Sequence, residues 1–249
     1  MAAPRAQLFT TCLADLLYPE VAERLVCLLE RLGCEVTFPG DQTCCGQFAW
    51  NTGYEAETLP LALHTIEVFS RDQAPLVAPF GSCVHMLRHH YPRLLRDRPD
   101  DLARARALAE RSFDFATFVV DELGIEAAGG RAPREGMRVA YHDECHLLRG
   151  LGARDQPRRL LAGVEGAEVV PLEGDELCCG FGGVFSMKLP QVSAAMADER
   201  IDRVLASGAE ALVTTDVGCM MHLRGRLRRR GEDLPVLHLL ELLQPEAEL

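Results

Sequence analysis

Apolar residues recur along the chain with two alternating periods. Short apolar runs at Ala6 to Thr10, Cys34 to Phe38 and Leu76 to Ala78 fit buried strands, whereas Val21, Leu25, Leu28, Leu29 and Leu32 fall on one helical face. A second helix is expected from about Glu55 to Phe69. After residue 136 the alternation returns, with strands expected at Met137 to Tyr141, Glu168 to Val170 and Ala211 to Thr214, and a helix after Pro190. Asp100 to Leu123 reads as one helical segment, and Val236 to Leu243 as an added strand and helix. Strands that alternate with helices predict parallel sheets and an α/β fold.

The return is a duplication rather than a coincidence of pattern. Gly33-Cys34-Glu35-Val36 recurs as Gly166-Ala167-Glu168-Val169 at an offset of 133. Gly40-Asp41-Gln42-Thr43-Cys44-Cys45-Gly46 recurs as Gly174-Asp175-Glu176-Leu177-Cys178-Cys179-Gly180 at 134, and Leu76-Val77 with Cys83 as Leu212-Val213 with Cys219 at 136. Cys12 and Cys145 share the offset of 133, so the order of blocks is kept. The expected architecture is two parallel α/β, Rossmann-like halves related by pseudo-twofold symmetry. Glu126 to Pro133 has linker composition, which places the domains at 1–130 and 131–249.

Composition narrows the class. Of 249 residues 48% are hydrophobic, enough for a substantial core, and the net charge of −11 disfavours a general phosphate-binding surface, so nucleic acid is not an expected partner. No apolar run approaches the roughly 18 residues that span a bilayer, and the N-terminal residues lack the apolar core of a signal peptide. Ten cysteines then suit a reducing, cytoplasmic setting in which thiols serve metals or redox chemistry.

Eight of those cysteines have a cysteine counterpart in the other half: Cys12, Cys44, Cys45, Cys83, Cys145, Cys178, Cys179 and Cys219. Cys27 and Cys34 align with Leu160 and Ala167, which marks them as small packing residues. All eight follow the carboxyl ends of expected strands, the edge where parallel sheets gather ligands. Four thiols from three segments separated by at least 31 intervening residues can therefore meet at one point in each half. Such a set suits an iron–sulfur cluster or structural zinc. Adjacent cysteines are unlike the short C-x-x-C knuckles of ordinary zinc sites. Gly46, Gly180, Gly182 and Gly183 would let the loops fold tightly around a cofactor and bring N–H groups to sulfur. Direct thiol–disulfide chemistry by the cysteine pairs is the remaining alternative.

Two copies of Cys…Cys-Cys-Gly…Cys resemble the cysteine-rich domains of the heterodisulfide reductase B subunit. Phe9-Thr10-Thr11-Cys12-Leu13, Cys44-Cys45-Gly46-Gln47, Gly81-Ser82-Cys83 and Cys178-Cys179-Gly180-Phe181-Gly182-Gly183 resemble the lactate utilization protein A family more closely. That resemblance implies an iron–sulfur subunit acting in L-lactate oxidation with two partner proteins, one a ferredoxin-type iron–sulfur protein. The reductase motif ends in C-x-x-C, whereas Met86 and His222 stand at the last position here. The departure favours four-cysteine [4Fe–4S] sites, two per chain, and argues against reductase-like disulfide chemistry. His222 joins the expected ligands as a nitrogen donor or hydrogen-bond partner.

Several other features have ordinary readings beside functional ones. Tyr141-His142-Asp143-Glu144-Cys145-His146 is either an ordinary polar strand end or a group for proton-coupled redox chemistry or substrate binding beside a ligand, His85, His89 and His90 fit a solvated helix face, and Trp50 either packs or shields a cluster. Arg224, Arg226, Arg228, Arg229 and Arg230 suit a helix end or an acidic partner. Gly180-Phe181-Gly182-Gly183 carries Phe185 where a dinucleotide loop needs its third glycine, so no nicotinamide or flavin site is expected. An oxidoreductase subunit dependent on partners follows, since no organic hydride acceptor is in sight.

Overall fold

The computed structural model describes residues 3–174 and 176–244. Asp175 of the second repeat block and the extreme ends of both expected domains lie outside the described residues. Contacts divide the chain into two compact units that meet at Phe118 and Val119.

In the first unit four parallel strands run in the order β2-β1-β3-β4, namely β1 (Arg5–Leu8), β2 (Glu35–Thr37), β3 (Leu76–Ala78) and β4 (Ser112–Asp114). The helix Pro19–Arg31 links β1 to β2 and opens on Pro19, whose fixed φ and missing N–H suit the first turn. Its apolar stripe buries Val21, Leu25, Leu28 and Leu29. Each such side chain contributes about 1.5–3 kcal/mol by leaving water. The helix ends because Gly33 adopts φ 85°, letting Gly33 N–H reach Glu30 O and Cys34 N–H reach Leu29 O, each at 2.9 Å. The helix Glu55–Phe69 and the strand β3 follow with the bounds their patterns imply.

The second unit repeats the plan in the order β6-β5-β7-β8, with β5 (Met137–His142), β6 (Ala167–Val169), β7 (Ala211–Thr214) and β8 (Val236–His238), all parallel. The helix Pro190–Ala206 begins at the expected proline.

One expectation needs correction. Residues 100–123 are not a single helix: Pro99–Glu110 is helical, then β4 adds the outer strand beside β3. Arg111 fixes the break, donating to Ala74 O at 2.7 Å and Phe69 O at 2.5 Å while its own carbonyl accepts from Leu76 N. Buried Asp114 then caps the next turn, accepting from Ala116 N and Thr117 N at 3.1 Å each. Burial pushes its carboxyl pKa up against those hydrogen bonds. His238 does the same at the end of β8, accepting from Leu240 N while Glu241 accepts from His238 N, so the two outer strands share a capping design.

Candidate metal centre

Each sheet delivers cysteines at its carboxyl edge. In the first unit β1 leads to Cys12, the loop after β2 carries Cys44 and Cys45, and Cys83 lies in the short helix after β3. Thr11 is the one non-glycine among the described residues with positive φ, at 69°, so the turn that presents Cys12 holds backbone strain. Sγ of Cys44 stands 3.3 Å from Sγ of Cys12, and Sγ of Cys45 stands 3.3 Å from Sγ of Cys83. Gln47 ties the pair loop to the Cys83 helix by donating to Ser82 O at 2.8 Å, and Tyr91 Oη donates to Cys45 O at 2.9 Å.

The second unit builds the same cluster from Cys145 after β5, Cys178 and Cys179 after β6, and Cys219 in the helix Val217–Arg230 after β7. Cys179 and Cys219 bring their sulfurs to 3.0 Å, and Cys145 lies close enough to Cys178 for the two thiols to shift one another's ionisation. Asp216 holds the start of that helix by accepting from Cys219 N at 2.8 Å. Buried Arg200 supports the loop from below, donating to Gly174 O at 2.7 Å and Leu177 O at 2.5 Å.

The glycine after each pair is required by geometry. Gly46 and Gly180 have φ of 83° and 87°, and each turns its N–H to the first sulfur of its pair at 3.4 Å. A Cβ on Gly180 would sit 2.6 Å from Ser193 O, against 3.2 Å from a Thr58 methyl for Gly46. Gly180→Ala is therefore expected to cost about 2 kcal/mol or more and to weaken metal retention in the second unit. Gly46→Ala should cost less, which denaturation midpoints of the two variants will compare. Gly182 and Gly183 also have positive φ, and Phe181 N donates to Cys179 Sγ at 3.4 Å.

Proximity divides the thiols into unlike members. Hydrogen bonds from Cys12 and Cys45 draw Cys44 down to about 3, and those from Cys145 and Cys179 draw Cys178 down to about 2. Cys12 and Cys145 are pushed up by donating to those thiolates and by burial. Cys45 and Cys179 are pushed up by their sulfur neighbours and burial. Cys219 is drawn down by Cys179, but burial and Asp216 leave it at about 11.

This donor set fits a thiophilic metal. Two thiolates on one tetrahedral ion with bonds of about 2.3 Å stand roughly 3.8 Å apart, so the close sulfur pairs need to part only slightly. All ten cysteines are free thiols.

The other expected residues separate. Cys34 precedes β2, away from the edge that carries the four thiols of its unit, and is buried; Cys27 lies in the helix Pro19–Arg31. Cys34→Ala is expected to cost about 1 kcal/mol and to leave bound iron unchanged, which metal analysis beside a denaturation curve will check. His222 meets Ser193 Oγ at 3.2 Å and lines a surface pocket of about 380 Å³ with Phe181 and Arg226, while Met86 is fully buried. Trp50 packs against His90 with ring centroids 5.2 Å apart and under Arg93. His85 faces His89 and His90 with ring centroids 4.9 and 4.8 Å apart, His89 being exposed and the other two half-buried. Arg226 and Arg230 pair with Asp198, and Arg224 with Glu241, inside the unit.

His142, singled out in the sequence only as part of the polar segment 141–146 and not as a ligand, lies beside the second set of thiols. It is wholly buried, and among the described residues its ring, Cys179 and Cys219 are the one group of three metal-binding side chains whose ligand atoms lie within 4.8 Å of one another. The signal was available, since its counterpart at an offset of 133 is Phe9, a hydrocarbon.

Comparison with known proteins agrees with this geometry. The cysteine-rich domain family model matches residues 6–88 and 139–224, one stretch in each unit. A lactate utilization protein A from Exiguobacterium sp. is 46% identical over 241 residues, covering 96% of this chain and 97% of that protein. One from Bacillus subtilis is 41% identical over 239 residues, covering 96% and 98%. Among solved structures, a hypothetical protein from Helicobacter pylori superposes with a TM-score of 0.62 at 11% identity, spanning 97% of this chain and 48% of that one, and so shares the fold. With near-complete coverage by such relatives and a cysteine-rich domain in each half, the chain belongs to the lactate utilization protein A family.

Proposed function

We propose that this chain is the iron–sulfur electron-transfer subunit of a multi-protein, cytoplasmic system that oxidises L-lactate to pyruvate. The observation that carries it is the twofold recurrence of four thiols gathered at the carboxyl edge of a parallel sheet. Cys12, Cys44, Cys45 and Cys83 would hold one cluster, and Cys145, Cys178, Cys179 and Cys219 the other. Bound clusters supply one-electron transfer at thiolate-held iron. The chain's own part is to bury Cys45 and Cys179, each 2% exposed, and to direct the Gly46, Gly180 and Phe181 N–H groups at sulfur, which stabilises negative charge there. Among the described residues no helix is long and apolar enough to cross a membrane. The thiol content is what favours a reducing compartment.

Lactate itself rests on family membership. No organic hydride acceptor is evident in the sequence, so a partner would have to take up the hydride; the family resemblance implies two partner proteins, one of ferredoxin type. Anaerobically purified protein is expected to be brown, to bleach under dithionite and to contain about eight irons per chain. Alone it should not reduce artificial acceptors with lactate. Colourless protein with stoichiometric zinc, or metal-free protein with reducible disulfides, would overturn the assignment, and lactate turnover by the pure chain would overturn the subunit role.

A further inference from the structure

The two units are not chemically equal, and the difference lies at the end of the central strand. His142 closes β5 in register with Thr214 of β7, at the edge from which the second unit's cysteines depart. Its side chain is 0% exposed, and neither Nδ1 nor Nε2 has a hydrogen-bond partner. An imidazole left so is costly, since an unsatisfied buried polar group forfeits about 1–3 kcal/mol, and native interiors rarely tolerate one without a ligand or ordered partner. What the ring does approach is sulfur: its ligand nitrogen and the Sγ atoms of Cys179 and Cys219 lie within 4.8 Å of one another.

Phe9 holds the equivalent place in the first unit, fully buried, with its ring edge-on to Phe69 at 5.3 Å. A phenyl ring there needs no partner and offers none. The position is thus a packing site in one unit and a nitrogen donor in the other.

We propose that His142 is a ligand of the second iron–sulfur centre, a nitrogen donor beside Cys179 and Cys219, and that the first centre has no nitrogen counterpart to it. The inference rests on the iron–sulfur reading given above. Imidazole is a normal ligand for iron, and both nitrogens of the buried His142 ring lack a hydrogen-bond partner, so a lone pair can face the metal. Its neutral donor adds ligation without adding charge, and histidine ligation accompanies higher reduction potentials in iron–sulfur centres. The two centres of one chain would then differ in potential, the second above the first, which gives electron flow a direction.

Two other imidazoles could imitate the effect. His222 Nε2 already faces Ser193 Oγ at 3.2 Å, whereas His146 Nδ1 stands 3.9 Å from Cys145 Sγ. Anaerobic holoprotein labelled with ¹⁵N-histidine separates them. Pulsed electron paramagnetic resonance, recorded in each redox state, should detect a nitrogen coupling of ligand strength on one of two iron signals. The coupling should vanish in His142→Phe, which copies the first unit, and persist in His222→Ala and His146→Ala. A redox titration of His142→Phe should lower one midpoint and leave the other. Iron-loaded protein without such a coupling, or a coupling that survives His142→Phe, overturns the proposal while leaving the iron–sulfur function intact. Protein that binds no iron overturns both. If His142→Phe fails to retain the second centre, the wild-type coupling and its persistence in the two alanine variants decide the matter.

Discussion

Cys45→Ala is expected to strip the first centre of iron and leave the second, and Cys179→Ala to do the reverse. Each thiol sits at the middle of its own set. Cys45 hydrogen-bonds both Cys44 and Cys83, and Cys179 both Cys178 and Cys219. Both are 2% exposed, so water cannot take the place of the missing sulfur without opening the loop. The set that remains has three thiols, and an iron left with an open position in a buried loop is exposed to loss. Iron should fall from about eight to about four per chain in each variant, with complementary signals surviving in the two spectra. Separate sites follow from the repeat, because each of the four clustered thiols of one unit has a thiol counterpart in the other. Loss of all iron from either variant, with the fold retained by circular dichroism, would instead mean one site built jointly.

Much of this was legible before any coordinate. The offsets that matched Cys12 with Cys145 and Cys44-Cys45 with Cys178-Cys179 also matched their strands, because a ligand loop and the strand that feeds it are inherited as one unit. Strands β3 and β7 were readable since both faces of each are buried and the apolar run is unbroken. β4 was not. Its three residues, Ser112, Phe113 and Asp114, follow a helix rich in alanine and arginine, and pairing with β3 rather than any local preference makes them extended. The cue lay in the other half, where Val236 to Leu243 implies an added strand and helix. His142 was hidden for a different reason. A histidine at a polar strand end is commonplace, and only the burial of both nitrogens beside Cys179 and Cys219 sets it apart.

Arg158→Ala is expected to destabilise the second unit by about 3–5 kcal/mol, the usual cost of removing one partner from a buried pair. Asp143 lies between His142 and Cys145 with its side chain 2% exposed, and Arg158 grips it with two bonds of 2.6 Å. The guanidinium also lies over the Tyr141 ring at 5.2 Å, so its loss would remove packing as well as charge. Alanine at 158 would strand a carboxylate in the interior, two residues from a candidate ligand. The first unit shows how the position works without charge: Thr10 and Leu25 stand where Asp143 and Arg158 do, and Thr10 N–H donates to Gln42 Oε1 at 2.9 Å. Importing that solution, Asp143→Thr with Arg158→Leu, should therefore recover most of the loss, because a buried ion pair is worth little against well-packed apolar groups. Denaturant titration of holoprotein, followed by bleaching of the second centre's signal, reads both variants in the unit concerned. A loss below about 1 kcal/mol in Arg158→Ala, in the range of exposed pairs, would mean that the ion pair does not anchor the strand end that carries His142 and Cys145.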